Sequence, residues 1–407
     1  MDIPQSPVDS LTSKDRLIRA LTGQKPDVLP AAPAYLCLFL ADFERAFYIE
    51  QYRLRLHECG TGRYPMDHAE DTLLRARAIA QSYGVFKVRP DWIEADRGLS
   101  QAWAARMDIL ERDGQLYYED RVSGRRVAMH IAPLPRGDEE LISVNRSESD
   151  ILDLSAQIRD KDDVERIIPI RSTAELLESG EMDLLRRVVQ DYGQRYFIST
   201  ILDTPFSDIA DHLGFYGLMT SLHDRPALLH EMLQRQLAQT QERMAALAAV
   251  GLHGVYVQEI FTGADLISPR AYDEFVRDYN GPYFKHMRGL GLLPIHYVCG
   301  DVLPRLERMA GYDVAALAVE ESKKNFRIEI EDVVDRVGER VAVLGNIDAV
   351  RFGLHATAKE MAAEVRRQAG IGARARGFVV STGSPFPLDS NPRLLDTLVA
   401  TAHSLPA

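Results

Sequence analysis

The sequence predicts an α/β fold: a (β/α)8 TIM barrel carrying an N-terminal helical extension and a β-meander insertion. Three observations predict it. Eight short runs rich in Val, Ile, Tyr and Ala recur along the 407 residues, amphipathic helical patterns separate them, and most runs stop at a polar, Gly or Pro residue. Strands that alternate with helices in this way form a parallel sheet closed by its own crossovers. A doubly wound open sheet is the alternative, but such sheets usually carry a Gly-rich loop after the first strand, and none follows VLPAAPAYL.

The runs, in chain order, are VLPAAPAYL (28–36), YGVFKVRP (83–90), RYFISTILD (195–203), LHGVYVQE (252–259), LLPIHYVCG (292–300), DVAALAVEE (313–321), RVAVLGNID (340–348) and GFVVSTGS (377–384). Between them lie helix signals such as SPRAYDEFV, where Ser268 suits an N-cap and Pro269 the first helical position. One stretch breaks the rhythm. Residues 107–131 alternate apolar and polar side chains around the turn pairs Asp113-Gly114 and Ser123-Gly124, the pattern of a β-meander. This insertion, taken as about 107–150, joins a helical segment of 25 residues at the N-terminus and the acidic stretch RDKDDVERI in lengthening the chain beyond a minimal barrel. No low-complexity linker divides it, so residues 1–407 read as one elaborated domain.

Composition narrows the function. A hydrophobic fraction of 46% and a charged fraction of 27% are those of a globular protein with a large core. The net charge of -12, with no basic run, points away from nucleic acid. No apolar stretch reaches the roughly 20 residues of a membrane span, and the polar start MDIPQSPVDSLTSKDR is unlike a signal peptide, which predicts a cytoplasmic protein. Cys37, Cys59 and Cys299 are too scattered for a disulfide framework and read as free thiols.

In a barrel of this kind the reacting side chains sit at the C-terminal ends of strands. Here those ends give Arg89 and Asp91, Asp203, Glu259, Cys299 and Asp301, Glu320 and Glu321, Asn346 and Asp348, and Ser384. Strand ends favour Asp, Asn and Ser for local hydrogen bonding alone. Several carboxylates around one mouth, however, repel one another unless a substrate, cation or base neutralises them.

The second half of the chain resembles the uroporphyrinogen decarboxylase superfamily, and in particular its corrinoid-dependent methyltransferase branch. The resemblance rests on GLHGVYVQEIFTGADLISPRAYDEFVRDYNGPYFKHM, LPIHYVCGDVLPRLERMAGYDVAAL, RVAVLGNIDA and FVVSTGSPFPLDSNPRLLDTLV, with RLIRALTGQKPDVLPAAP and LDTPFSDIADHLGFYGLM earlier in the chain. It implies a (β/α)8 barrel. Members that methylate thiols carry His-x-Cys-Gly on the fifth strand and a Cys on the eighth, which together hold zinc and keep the acceptor sulfur ionised. Aligning the Cys-Gly pair puts Cys299 on the cysteine ligand, Tyr297 on the histidine position and Ser384 on the third ligand. His296 stands three residues from Cys299, and strand alternation turns it to the other face. HYVCG therefore resembles a zinc half-site whose metal function is lost, leaving Cys299 a small buried thiol, or rebuilt from Cys299 with His296, Glu259 or Asp301.

Porphyrinogen decarboxylation is a poor match, because the arginine-rich first-strand loop that would grip a polycarboxylate is replaced by AAPAYLCLFLADFERA. What the resemblance then implies is methyl transfer between a corrinoid and a non-thiol partner, either a methoxylated aromatic compound or tetrahydrofolate. Glu259 or Asp203 would exchange a proton with that partner and Asn346 would bind a polar ring edge, while Arg89, Asp91, Tyr297, Glu320, Asp348 and Ser384 would line the substrate. The chain lacks an Asp-x-His-x-x-Gly corrinoid signature, so the cobalamin should arrive free or on a carrier protein. The family analogy also implies a homodimer. A lyase or decarboxylase of a small carboxylic acid on the same barrel is the alternative function.

Overall fold

The computed structural model describes residues 11–129 and 157–407. Seven strands form one parallel sheet in chain order: β2 (Trp92–Glu94), β3 (Phe197–Asp203), β4 (Gly254–Glu259), β5 (Leu293–Val298), β6 (Ala316–Val319), β7 (Ala342–Leu344) and β8 (Phe378–Val379). The eighth stave, β1, is reduced to a bridge at Ala31. Pro30 and Pro33 flank it and have no N–H to give a ladder. Ala32 N donates to Val380 O and Val380 N donates to Pro30 O on one side, and Asp91 N donates to Ala31 O on the other. These three bonds join β8 to β2 and close the sheet, so the predicted (β/α)8 barrel is the fold.

One predicted strand is displaced. YGVFKVRP forms no strand: Tyr83–Val85 is a 3-10 turn, and the ladder begins only at Trp92. Its backbone donors go elsewhere, since the N–H groups of Lys87 and Val88 both donate to the Asp396 carboxylate. Phe86 packs beside Phe39, and Pro90 ends the run. Tertiary partners thus override a β-rich composition. The consequence for function is direct. Arg89 and Asp91 precede β2 and lie at the N-terminal end of the barrel, opposite the mouth. Asp91 is fully buried there and joins three elements by accepting hydrogen bonds from Arg16 (2.8 Å), His403 Nε2 (2.8 Å) and Ala31 N (2.8 Å).

The meander is present as predicted over its described part, 107–129, while the rest of the expected insertion lies outside the described residues. Met107–Arg112 and Gln115–Asp120 form a hairpin, and Asp113 and Gly114 both have positive φ (52° and 76°), the backbone a type I′ turn requires. Arg63–Pro65 and Arg126–Ala128 extend this sheet at its edges. Ile109 and Leu116 pack against Ile49, Tyr52 and Leu56 of the helix Leu36–Cys59, so the meander is bolted to the first helix after β1. The predicted N-terminal helix is Ser13–Leu21, capped by Thr12, and the acidic stretch contains the helix Lys161–Ile167, capped by Asp160. Ser268 and Pro269 open a helix as expected. Among the described residues no helix is long and apolar enough to cross a membrane.

Removing one partner from a buried ion pair leaves the other charge uncompensated, so Asp91→Ala should cost about 3–5 kcal/mol of stability. Burial opposes ionisation of Asp91, but its bonds to His403 and Arg16 outweigh that and hold its pKa below the usual carboxylate range. Its contribution is therefore present above the unfolded value of roughly 4 and is lost as pH falls through the lower native value. Denaturant titrations at pH 7 and pH 3 check this: the gap between wild type and variant should narrow at the lower pH.

Candidate active site

Register decides which strand residues face the barrel axis. Tyr297 pairs with Gln258 and Ala318, and Ile201 pairs with Tyr256, so these positions share the inner side. Alternation sends their neighbours outward. Inside, the rings of Tyr256 and Tyr297 stack with centroids 5.4 Å apart, Trp92 meets Tyr256 edge-on at 5.6 Å, and Tyr35 covers both tyrosines at 5.1 and 5.3 Å. Tyr35 holds a left-handed backbone (φ 54°, ψ 42°) at the start of the helix Leu36–Cys59, a strained conformation for a side chain with a Cβ. These aromatic residues floor the mouth.

Polar atoms are set into this floor without protein partners. The Tyr35 and Tyr256 hydroxyls, Trp92 Nε1, Glu94 Oε1 and Ser199 Oγ are all buried and unbonded. Such groups are rare in folded proteins, because each forfeits hydrogen bonds to water, and a cluster of them marks a place where a ligand or water completes the bonding. The other Glu94 oxygen accepts a 2.5 Å hydrogen bond from Leu36 N. Burial dominates Glu94 and overrides its backbone donors, raising its pKa to about 8, so the carboxyl is neutral at pH 7. Burial likewise pushes the Tyr35, Tyr256 and Tyr297 hydroxyls well above 10. The floor is a set of neutral proton donors.

Two cavities flank it. One, of about 180 Å³, runs from Glu94 and Asp96 to Glu44 and Arg75, and Arg97 borders it. The second, of about 440 Å³, lies beside the tip of β3 and is lined by Asp203, Asp208, Gln236, Arg171, Arg243 and again Arg97.

Cys299, one residue past β5, lies on the inner side. Burial first, and then the Glu320 carboxylate, push its thiol well above 9, so it is a neutral thiol at pH 7. Tyr297, at the position of the histidine ligand, donates its hydroxyl to Gly383 O (2.8 Å) and ties β5 to the loop after β8. Ser384, at the third ligand position, donates to Glu321 Oε1 (2.6 Å), and Lys323 pairs with the same carboxylate. The backbones crowd here: a Cβ on Gly383 would lie 2.2 Å from Glu321 N. Glu320 accepts from Gly300 N (2.7 Å). His296 faces the other way, into the space between β5 and the helix Asp278–Gly289, where its Nε2 lies 3.0 Å from Glu259 Oε2. Among the described residues no three His, Cys, Asp or Glu side chains converge as metal ligands. Zinc does not fit this donor set, because Tyr297 and Ser384 stand where the second and third ligands would be and are committed to other bonds.

Other expected residues are also placed differently. Glu259 points outward with His296, fully buried, and receives Thr262 Oγ1 (2.6 Å) and Asn280 Nδ2 (2.6 Å). Its pKa stays below the usual value: burial works against ionisation, but the His296 bond and charge outweigh it. It is a brace behind the wall and cannot exchange a proton with a ligand at the mouth. Asn346 gives its amide to the carbonyls of Glu320 (3.2 Å) and Ile328 (3.1 Å), which fixes the loop after β6. Asp348 accepts from Arg351 N (2.8 Å) and starts a helical turn. Asp301 sits beside Asp265 at the rim. The structure therefore gathers Asp203, Tyr297, Cys299, Glu320 and Ser384 at the mouth and leaves Arg89, Asp91, Glu259 and His296 away from it.

Tyr256 is placed inside by its register with Ile295, two residues before Tyr297, which only the folded sheet supplies. Glu94 and Arg97 were hidden by the misplaced second strand, although WIE after Pro90 is itself a β-rich triplet. No sequence signal identified Tyr35 or Arg243.

Residues 142–405 match the sequence profile of uroporphyrinogen decarboxylase (URO-D). The chain belongs to that family. Curated relatives named uroporphyrinogen decarboxylase include those of Methylococcus capsulatus, 27% identical across 58% of this chain and 70% of that protein, and Rhodococcus opacus, 26% identical across 45% and 50%. A third, from a Janthinobacterium species, is 24% identical, and the match spans about half of it, 52%. Among solved structures, a methyltransferase from Methanosarcina mazei superposes over 97% of this chain and 99% of its own, with a TM-score of 0.61 and 16% identity, and so shares the fold.

A native-state alkylation experiment checks the thiol assignments. Cys59 is exposed, and hydrogen bonding with Thr61 lowers its pKa. With iodoacetamide at pH 7 followed by peptide mass spectrometry, Cys59 should label first and Cys299 at least tenfold more slowly, roughly the handicap of one unit of pKa. Fast labelling of Cys299 would show it to be an ionised thiolate.

Proposed function

We propose that the protein moves a methyl group from a methoxylated aromatic compound to a corrinoid, with Glu94 as the acid that protonates the departing oxygen. The observation that carries this reading is the buried neutral carboxyl of Glu94, one of whose oxygens has no hydrogen-bond partner, as the buried hydroxyls of Tyr35 and Tyr256 have none. Cleaving a methyl ether breaks the carbon–oxygen bond, and both electrons leave with the oxygen. A phenoxide departs easily only if something protonates it, so an acid with a pKa near 8 beside it lowers the barrel's barrier to reaction. Tyr35 and Tyr256 would orient the oxygen by donating to it, and the rings of Tyr35, Tyr256 and Trp92 suit an aromatic ligand.

A bound corrinoid would supply the electron pair that takes up the methyl carbon. The chain's part is to hold the ether, exclude water from it and deliver the proton. We place the corrinoid on a carrier protein or free in solution rather than in a site of this chain's own. A thiol acceptor is disfavoured by Tyr297 and Ser384 standing at the other two zinc-ligand positions. Transfer to tetrahydrofolate would end with loss of a proton from its nitrogen and so would ask for a base, which a neutral carboxyl is not. The relatives' name supports a second reading, decarboxylation of a small acid, in which Glu94 would protonate the carbon that loses carbon dioxide.

Purified protein mixed with cob(I)alamin and methoxyarenes should release phenol, measured chromatographically, with a matching change in the corrinoid spectrum. Glu94→Gln keeps the shape and neutrality of the side chain but cannot give a proton, so the rate should fall by about 10²–10⁴ with little change in stability. The wild-type rate should fall as pH rises through about 8, where Glu94 ionises. Carbon dioxide release from an aryl acid without demethylation would favour the decarboxylase, and a fully active Glu94→Gln would remove Glu94 from either mechanism.

A further inference from the structure

We infer that the substrate carries a carboxylate, received by Arg97 and Arg243 in the cavity beside the tip of β3. The inference deepens the reading above and takes from it that the reacting end lies at Glu94. It begins with the arginines that line this cavity. Arg171 is bonded to Glu181 Oε1 (2.6 Å), and Gln236 donates to Asp208 (2.7 Å), so those groups are engaged. Arg97, by contrast, is partly exposed and makes a long ion pair with Glu181, at 3.9 Å. Nε of Arg243 is buried with no partner at all. Arg97 and Arg243 line the same cavity; burial and the Arg243 charge lower the Arg97 pKa, while nearby Glu181, Asp208 and Asp96 partly offset them. An anion between them would relieve both the repulsion and the unmade hydrogen bonds, and the planar forks of arginine match a carboxylate.

The charge of the ligand group is bounded from the other side. Asp203, Asp208 and Asp211 line the same cavity, and burial lifts Asp208 to about 6. Either anion would face these three acids beside the two arginines, and a single carboxylate does so at a smaller cost in repulsion than a dianion such as a phosphate ester. The volume of about 440 Å³ is in the range of pockets for small organic molecules. Arg97 also borders the cavity that contains Glu94, so a ligand held by Arg97 at one end can present its other end to the acid.

Isothermal titration calorimetry without any corrinoid tests the subsite. The probes are the ring isomers of methoxybenzoate and the matching neutral methoxybenzamides. Wild type should bind at least one acid about tenfold or more tightly than its amide, the scale of a charge-assisted contact. Arg243→Met and Arg97→Met should each bring that ratio close to one, and Arg243→Lys should restore part of it. Circular dichroism and thermal unfolding establish that the variants are folded. Should Arg243→Met not fold, Arg97→Met and the loss of the preference at high salt decide the matter. Equal affinity of acid and amide, no binding of either at millimolar concentration, or variants that keep the preference would overturn the inference. Acid binding through the arginines with no phenol released would instead contradict the methyl-transfer reading and leave the subsite standing. Phenol released equally well from acid and amide would do the reverse.

Discussion

A closed parallel barrel gives each strand residue one of two sides, and everything at this mouth depends on that constraint. Once Ala31 links β8 to β2, no strand can slip by one residue without exchanging its core and outer faces. On β5 this places Tyr297 and Cys299 inside and His296 outside. On β4 it places Tyr256 inside and Glu259 outside. Five chemically capable residues on two adjacent strands are thereby sorted into three ligand-facing neutral donors, Tyr256, Tyr297 and Cys299, and a buried hydrogen-bonded pair, His296 and Glu259, that holds the wall to its helix. The same residues with one strand shifted would be a different protein.

Desolvation then acts in the same direction on every inner group. It raises the phenols, the thiol and the Glu94 carboxyl alike, so the interior carries protons and little charge. A sulfur in such a place is a poor nucleophile, and a carboxyl becomes an acid. Charge is concentrated outside the floor: Lys323 and Glu321 lock the loops after β6 and β8, and the arginines gather beside β3. The neutral floor and charged flank suit a ligand with an apolar reacting end and a polar handle.

Much of the architecture was legible in the sequence because the barrel repeats a local signal. Seven of the eight runs overlap a strand or bridge of the barrel, and the turn pair Asp113-Gly114 specifies its hairpin by backbone conformation alone. The second run failed because its partner is remote: Asp396, more than 300 residues away, takes the N–H groups that a strand would have shared. That single error carried Arg89 and Asp91 to the wrong end of the barrel and concealed Glu94. The position of His296 relative to Cys299 was legible from alternation, and the same rule applied to Glu259 from β4 would have placed it behind the wall. Tyr35 and Arg243 had no local signature, since one sits in a strained cap and the other on a helix whose mouthward face only the folded chain defines.

Infrared difference spectroscopy of wild type against Glu94→Gln is the most direct measurement of the protonation state on which this chemistry rests. A protonated carboxyl has a carbonyl stretch well separated from that of a carboxylate. The account predicts a carboxyl band assignable to Glu94 at pH 7 that disappears as pH rises through about 8. A Glu94 signal that is already that of a carboxylate at pH 6 would contradict it.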